Sequence, residues 1–248
     1  MSLVRIESIS KEYLLGDQTV VALHDISLAI EEGVFLAIAG PSGSGKTTLL
    51  NIIGCIDVPT SGRVYIDDRE VTGLSHDALA DLRARTTGFI FQTFNLFPVL
   101  TAAENVEYPL LQLPEITRKE RVKRVKRFLA VVGLEKYANH TPNQLSGGQR
   151  QRVAIARALA IHPRIVLADE PTANLDSKTG ESILRLMREI NQQMGTTFIF
   201  STHDPKVMSN ADRLVHVEDG FLASLAVKVN NKWEQVRVKP PETSIEEL

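Results

Sequence analysis

The stretch Val34-Phe35-Leu36-Ala37-Ile38-Ala39, followed by Gly40-Pro41-Ser42-Gly43-Ser44-Gly45-Lys46-Thr47, decides how the rest of the chain is read. Six apolar residues in a row mark a strand covered on both faces. The next eight fit G-x-x-x-x-G-K-[ST] at every fixed position, and a helix-like run from Thr47 to Ile56 follows. In a strand–loop–helix setting, glycines let successive backbone N–H groups curve around phosphate oxygens, and the helix N-terminus adds partial positive charge. Lys46 is placed to reach the β- and γ-phosphates, and Thr47 to offer its hydroxyl to Mg²⁺. This pattern implies a nucleotide site.

Working outward, the first third is rich in strands. Leu3 to Ile9 and Thr19 to Ile30 are rich in Val and Ile, with alternation over Leu23 to Ile30, and another strand, Arg63 to Ile66, ends at the Asp67-Asp68 turn. The middle changes character. Thr101-Ala102-Ala103-Glu104 and Thr117-Arg118-Lys119-Glu120 both fit the capping box, the second opening a helix that runs to Gly133, and a third helix is expected from Arg150 to Ile161. After Pro163 the alternation resumes: a strand at Ile165 to Ala168, a helix from Ser177 to Met194 closed by Gly195, strands at Thr197 to Ser201 and Arg213 to Val217, then Phe221 to Val229. Asn230-Asn231 suggests a hairpin turn into Trp233 to Val238, and the polar tail 240–248 is expected to fray. Strands alternating with helices argue an α/β core with a mainly parallel sheet.

Two further motifs carry chemistry. The apolar run Ile165-Val166-Leu167-Ala168 ends in Asp169-Glu170. Beside a phosphate loop, Asp169 is placed to hold Mg²⁺. Glu170, pointing to the other side, is placed to accept a proton from attacking water. Leu145-Ser146-Gly147-Gly148-Gln149 precedes the helix beginning at Arg150, so two glycines and a hydroxyl form a second anion cradle at a helix start. Two such cradles in one chain make sense if two copies sandwich one nucleotide.

Composition bounds what else the chain can be. At 248 residues it can bury about 70% of its unfolded surface, in one large domain or two small ones. Its 28 Lys and Arg against 30 Asp and Glu leave a formal charge of −2, without the basic footprint of a dedicated nucleic-acid binder, and no nucleic-acid partner is expected. The single cysteine, Cys55, excludes an internal disulfide and a Cys-based zinc site, and reads as a small core residue. No apolar run approaches the ~18 residues of a membrane span. Met1-Ser2-Leu3-Val4-Arg5 has no signal pattern, so a soluble intracellular protein is expected. The basic run 118–127 reads as a solvated helix face with Val122, Val125, Phe128 and Leu129 turned inward.

The phosphate loop, Leu145 to Gln149 and Asp169-Glu170, in this order and spacing, resemble the ATP-binding-cassette (ABC) ATPases from about residue 3 to 225. The resemblance implies a P-loop NTPase core with a mainly parallel sheet, an N-terminal antiparallel β-subdomain and an inserted α-helical subdomain. Its boundaries would be core 1–92 and 163–220, helical subdomain 93–162, and a C-terminal hairpin and tail 221–248. It implies ATP and Mg²⁺ as cofactors, with Tyr13 stacking on adenine and Thr48 joining Gly40 to Thr47 around the phosphates. Gln92 would touch Mg²⁺ and water and face a membrane subunit, and Ala173-Asn174-Leu175-Asp176 would cross a dimer interface. His203 would contact the γ-phosphate, and Ser146, Gly147, Gly148 and Gln149 would complete the site of a second copy in a head-to-tail dimer. Lys46, Glu170 and His203 are the expected catalytic set.

The run from Thr87-Gly88-Phe89-Ile90-Phe91-Gln92 to Asn105-Val106 is similar to a bacterial subgroup paired with integral membrane permeases. That subgroup serves lipoprotein release, macrolide export and peptide resistance, at the cytoplasmic face of the cell membrane. A cell-division ATPase driving mechanical signalling is the alternative. A DNA-repair or translation ATPase fits less well, because heptad insertions, zinc cysteines and a second cassette are absent from the sequence.

Overall fold

A computed structural model of the chain describes residues 2–236. Two sheets organise it. Strands β1 (Ser2–Leu15), β2 (Gln18–Glu31), β4 (Ser61–Ile66) and β5 (Arg69–Glu70) form an antiparallel sheet in the order β2-β1-β4-β5. The larger sheet has five parallel strands: β9 (Arg213–Glu218), β3 (Phe35–Ala39), β8 (Thr197–Thr202), β7 (Ile165–Asp169) and β6 (Thr87–Ile90), in that spatial order. Strands β10 (Phe221–Val229) and β11 (Lys232–Val236) continue it antiparallel beyond β9.

Alternation along the central strands builds two apolar layers. Leu36, Ile38, Ile165, Leu167 and Ile199 face helix α1 (Lys46–Ile53) and the antiparallel sheet. Phe35, Val166, Ala168, Phe198 and Phe200 face the opposite way. There they pack with residues of α3 (Ala102–Glu107), α4 (Arg118–Val131), α5 (Gly147–Leu159) and α6 (Ser177–Met194). Cys55 is buried in the first layer, and burial pushes its thiol up to about 11, which keeps it protonated and inert.

Several expectations are met closely. Helix α6 spans Ser177–Met194, capped by Asp176 and closed by Gly195 in the left-handed region, while Thr101 and Glu104 form the reciprocal capping box of α3. Asn230 and Asn231 both have positive φ, as a two-residue hairpin turn of the primed type requires.

Other details differ from expectation. Helix α1 ends at Ile53, because Cys55 turns left-handed and closes a Schellman motif, its N–H donating to the Ile52 carbonyl (3.1 Å) and that of Ile56 to the Asn51 carbonyl (2.9 Å). Helix α5 begins at Gly147, three residues early, because Ser146 and Gln149 make a capping box. Val122 is 59% exposed rather than inward, since the buried stripe of α4 is Val125, Phe128 and Leu129. The expected strand 233–238 starts at Lys232, and residues 237 and 238, with the tail 240–248, lie outside the described residues. Helix α2 (His76–Thr86) and strand β6 were not anticipated: α2 fully buries only Leu79, and β6 has four residues, too few to show a period. A short helix, α7 (Pro205–Asn210), completes the set.

Candidate functional site

The phosphate loop joins β3 to α1 at the end of the parallel sheet. Gly45 is the N-cap of α1, with φ +99 and no side-chain cap, so the first-turn N–H groups of that helix remain available to a ligand. A side chain at Gly45 would lie 2.5 Å from the Ala22 carbonyl oxygen, and one at Gly40 would collide with that of Val217. The loop is thus wedged between β2 and β9. The turn after β9 braces it further: Gly220 N–H donates to the Ser44 carbonyl (3.1 Å), and the Gly220 carbonyl accepts from His24 N–H (2.9 Å).

Lys46 is 7% exposed, and its Nζ donates to the carbonyls of Gly40 (3.0 Å) and Pro41 (2.6 Å). A buried ammonium held only by neutral oxygens is poised for an anion. The buried Ser44 and Ser201 hydroxyls have no protein partner, which adds unspent hydrogen-bonding capacity beside the loop. Thr47 Oγ1 stands 3.5 Å from both Asp169 carboxylate oxygens, so hydroxyl and carboxylate face each other across a narrow gap. Among the described residues, no three His, Cys, Asp or Glu side chains cluster to hold a metal by themselves. A donor set of one hydroxyl and one carboxylate fits Mg²⁺, which takes its remaining ligands from water and substrate phosphates.

Glu170 follows Asp169 but faces other partners. It sits in the left-handed region at φ +45, a conformation that costs of the order of 1–3 kcal/mol and is tolerated mainly at functional sites. Its Oε1 is 2.5 Å from His203 Nδ1, and its Oε2 accepts from the Thr202 hydroxyl at 3.3 Å. The Glu170 side chain is 15% exposed and that of His203 is 72% exposed. Strands β7 and β8 run parallel with Asp169 opposite Ser201, which brings Glu170, Thr202 and His203 together at the carboxyl ends of two central strands.

Lys46, Thr47, Gln92, Asp169, Glu170 and His203 all line one cavity of about 640 Å³, together with Pro41, Ser42, Gly43, Gly45 and Thr48. Gly40 and Ser44 belong to the same loop, outside its lining. Tyr13 is not part of the lining either. Its hydroxyl donates to Asp57 Oδ2 at 2.7 Å and lies within reach of Thr48. Burial, and then Asp57, raise the phenol above its ordinary pKa.

Ser146, Gly147, Gly148 and Gln149 lie away from this cavity, at the start of α5. Ser146 Oγ accepts from Gln149 N–H (3.3 Å) and Gln149 Oε1 from Ser146 N–H (2.8 Å), while Gly147 and Gly148 pack close to Leu175 and Thr179. One chain therefore assembles the phosphate loop with Gln92, Asp169, Glu170 and His203, and does not bring the second glycine segment to them.

Two side chains that sequence reasoning missed shape the loop carrying Gln92. Arg157 of α5 donates to the carbonyls of Phe94 and Asn95, both at positive φ, and burial draws its guanidinium down to about 10. Asn105 is fully buried, and its amide holds the carbonyls of Phe97, Leu100 and Thr101. The available signal was a cation and an amide on otherwise apolar helix faces. In addition, Asn174 Nδ2 donates to the Gln92 carbonyl at 2.8 Å, tying together two of the loops read from sequence.

Comparison with known proteins agrees with this geometry. Residues 23–173 match the family described as ABC transporter. The chain is 49% identical over 221 residues to the uncharacterized ABC transporter ATP-binding protein MJ0796 of Methanocaldococcus jannaschii, covering 88% of this chain and 94% of that one. It is 47% identical over 240 residues to the macrolide export ATP-binding/permease protein MacB of Brucella melitensis, covering 97% of this chain but only 37% of that larger protein. A solved dimeric structure of MJ0796 in a post-hydrolysis state, bound to ADP and Pi, superposes with a TM-score of 0.82 at 46% identity, over 95% of this chain and 100% of that one. With its phosphate loop, its Asp169-Glu170 pair and its Gln92 and His203 facing one cavity, the chain belongs to the ABC transporter ATP-binding family.

Proposed function

We propose that this ABC ATPase drives a membrane permease of the export type to which the macrolide exporters belong, working as two copies arranged head to tail. The observation that carries the reading is the single cavity that gathers Lys46, Thr47, Gln92, Asp169, Glu170 and His203, beside a second glycine segment that points elsewhere. The chain is an ATPase that binds ATP with Mg²⁺, dimerises and serves a membrane partner. The finer statements, that Ser146 to Gln149 close over the ATP of the other copy and that cargo is handled by an export-type permease, are supported by the self-capped start of α5 and by the likeness to MacB.

In this reading the loop N–H groups and Lys46 hold the β- and γ-phosphates, and Tyr13 stacks on adenine at the rim, steadied through its bond to Asp57. Thr47 and Asp169, with Gln92 nearby, would hold Mg²⁺, which would supply positive charge beside the transferring phosphoryl group. Glu170 takes the proton of the attacking water, and His203, in contact with its carboxylate, orients it and reaches toward the γ-phosphate. Residues 93–162 act as a helical subdomain against the core.

The permease contacts a groove of about 310 Å³ lined by Phe89, Phe91, Phe97, Tyr108 and Pro109, with Arg157 at its floor. Among the described residues no helix is long and apolar enough to cross a membrane, so the chain is read as peripheral, on the cytoplasmic face, where its permease holds it.

ATP hydrolysis measured against protein concentration tests the reading. The rate per chain is expected to rise with concentration as dimers form, and to fall by roughly 10²- to 10⁴-fold in Glu170→Gln. A rate per chain that stays flat down to monomer dilution, or normal turnover in Glu170→Gln, overturns the head-to-tail site or the assignment of the base.

A further inference from the structure

The outer face of α4 is the strongest feature that the ATPase reading leaves unused. Ten residues, 118–127, include seven cations in a chain whose formal charge is −2. Arg121 pairs with Glu107 and Arg124 with Glu120, but Arg118, Lys119, Lys123, Lys126 and Arg127 have no carboxylate within ion-pair distance among the described residues. All five are exposed. Lys119, Val122, Lys123 and Lys126 share one face at helical spacing, with the exposed Val122 in the middle of the lysines. The field is felt nearby: burial, and then Arg124 and Arg127, lower the pKa of His162.

The face has a definite place in the molecule. Arg121 Nε bonds Glu107 Oε1 at 3.0 Å, and Glu107 precedes Tyr108, whose ring meets Phe97 at 4.5 Å at the rim of the groove assigned to the permease. Two residues from the groove's Phe97 and Pro109, respectively, the chain also exposes Val99 (83%) and Leu111 (53%). Apolar side chains beside unpaired lysines and arginines are the composition of a surface that rests in a lipid headgroup layer.

We infer that the outer face of α4, through Lys119, Lys123, Lys126 and the flanking Arg118 and Arg127, binds the anionic headgroups of the membrane in which the permease sits. The inference depends on the reading of the chain as a permease-bound ATPase. It assigns the lysines a role in holding the subunit against the bilayer, separate from the contacts made in the groove. The charge is diffuse and the apolar content slight, so the binding is electrostatic, weak for one copy and strengthened in a dimer that presents two such faces.

Co-sedimentation of the purified full chain with vesicles tests it. Phosphatidylcholine vesicles containing phosphatidylglycerol are expected to bring down the chain, pure phosphatidylcholine vesicles to leave it in solution, and added salt to release it. The triple change Lys119→Glu, Lys123→Glu, Lys126→Glu is expected to weaken binding about a hundredfold while the thermal midpoint and ATP affinity stay as in wild type. The Arg triple at the same positions keeps the charge and is expected to keep binding. Absence of binding to anionic vesicles, equal binding to neutral ones, or an unaffected Glu triple overturns the inference. So does retention of the chain by nucleic acid through these lysines in place of vesicles. A failure here with Glu170-dependent turnover intact leaves the ATPase reading standing, whereas normal turnover in Glu170→Gln overturns the assignment of the base and leaves the vesicle result to be read on its own.

Discussion

The two glycine-rich helix starts of this chain use the same residue types and do opposite things. At α1 the N-cap is Gly45, left-handed and without a side-chain cap, and the next residue is a buried lysine. At α5 the N-cap is Ser146, whose hydroxyl and backbone N–H are both engaged by Gln149. The first start lies inside a cavity that also holds the carboxylates of Asp169 and Glu170. The second lies outside that cavity, away from Lys46, Asp169 and Glu170. Both carry the backbone donors and partial charge of a helix N-terminus. The first start has its cation and its acids beside it in one cavity; under the proposed head-to-tail arrangement the second would meet them only in a partner copy.

The largest break in the comparison is expected from Lys46→Ala. Removing the one buried cation of the first start should lower ATP affinity by a hundredfold or more, since a charge-assisted bond to phosphate in a partly buried site is lost. Titration with a fluorescent nucleotide checks this. Ser146→Ala should act differently. It removes an N-cap at a cost of about 1 kcal/mol in stability, and it should leave nucleotide binding to the single chain unchanged while slowing hydrolysis at concentrations where dimers form. If Ser146→Ala weakened ATP binding by the isolated chain as Lys46→Ala does, the division of labour between the two starts would be wrong.

The smallest effect concerns Asp57, beside Tyr13. Burial acts to raise its pKa, but the hydrogen bonds from Lys11 and Tyr13 outweigh it and hold the carboxyl below its ordinary value. A depressed pKa in the folded state means that Asp57 contributes stability fully above its unfolded pKa of about 3.9, and that this contribution is lost as pH falls through the lower folded value. Asp57→Asn should therefore lower stability at neutral pH and make it less sensitive to acid. Thermal unfolding of both proteins from neutral pH down to the acid limb would show the two curves converging.

Much of this architecture is legible in residue order because the deciding features are local. The glycine loop takes positive φ at Gly43 and Gly45, which the glycines themselves announce in the sequence. Helix α6 announces itself with Asp176 at one end and Gly195 at the other, around an apolar stripe of Ile183, Leu184, Met187 and Ile190. The misses are matters of tertiary placement. Val122 falls within the arc an apolar residue would be expected to bury, but α3 and α5 cover a narrower stripe. Arg157 looks like one more surface cation until the chain folds it under the carbonyls of Phe94 and Asn95. For Tyr13, the adenine platform that the resemblance implies, the structure adds a tether to Asp57, a partner 44 residues away.

The brace under the phosphate loop sets an order in time. Residues 40–47 leave the ribosome early, yet the carbonyl that crowds Gly40 belongs to Val217, and the N–H that holds Ser44 belongs to Gly220. Strand β9, which delivers both, pairs with β3 and is the last of the five parallel strands to be synthesised. A nascent chain ending before residue 217 thus carries the whole glycine motif without the scaffold that shapes it. Nucleotide affinity should appear abruptly once residues 217–220 have emerged, and ATP should not serve as a template for the folding of the chain before that point.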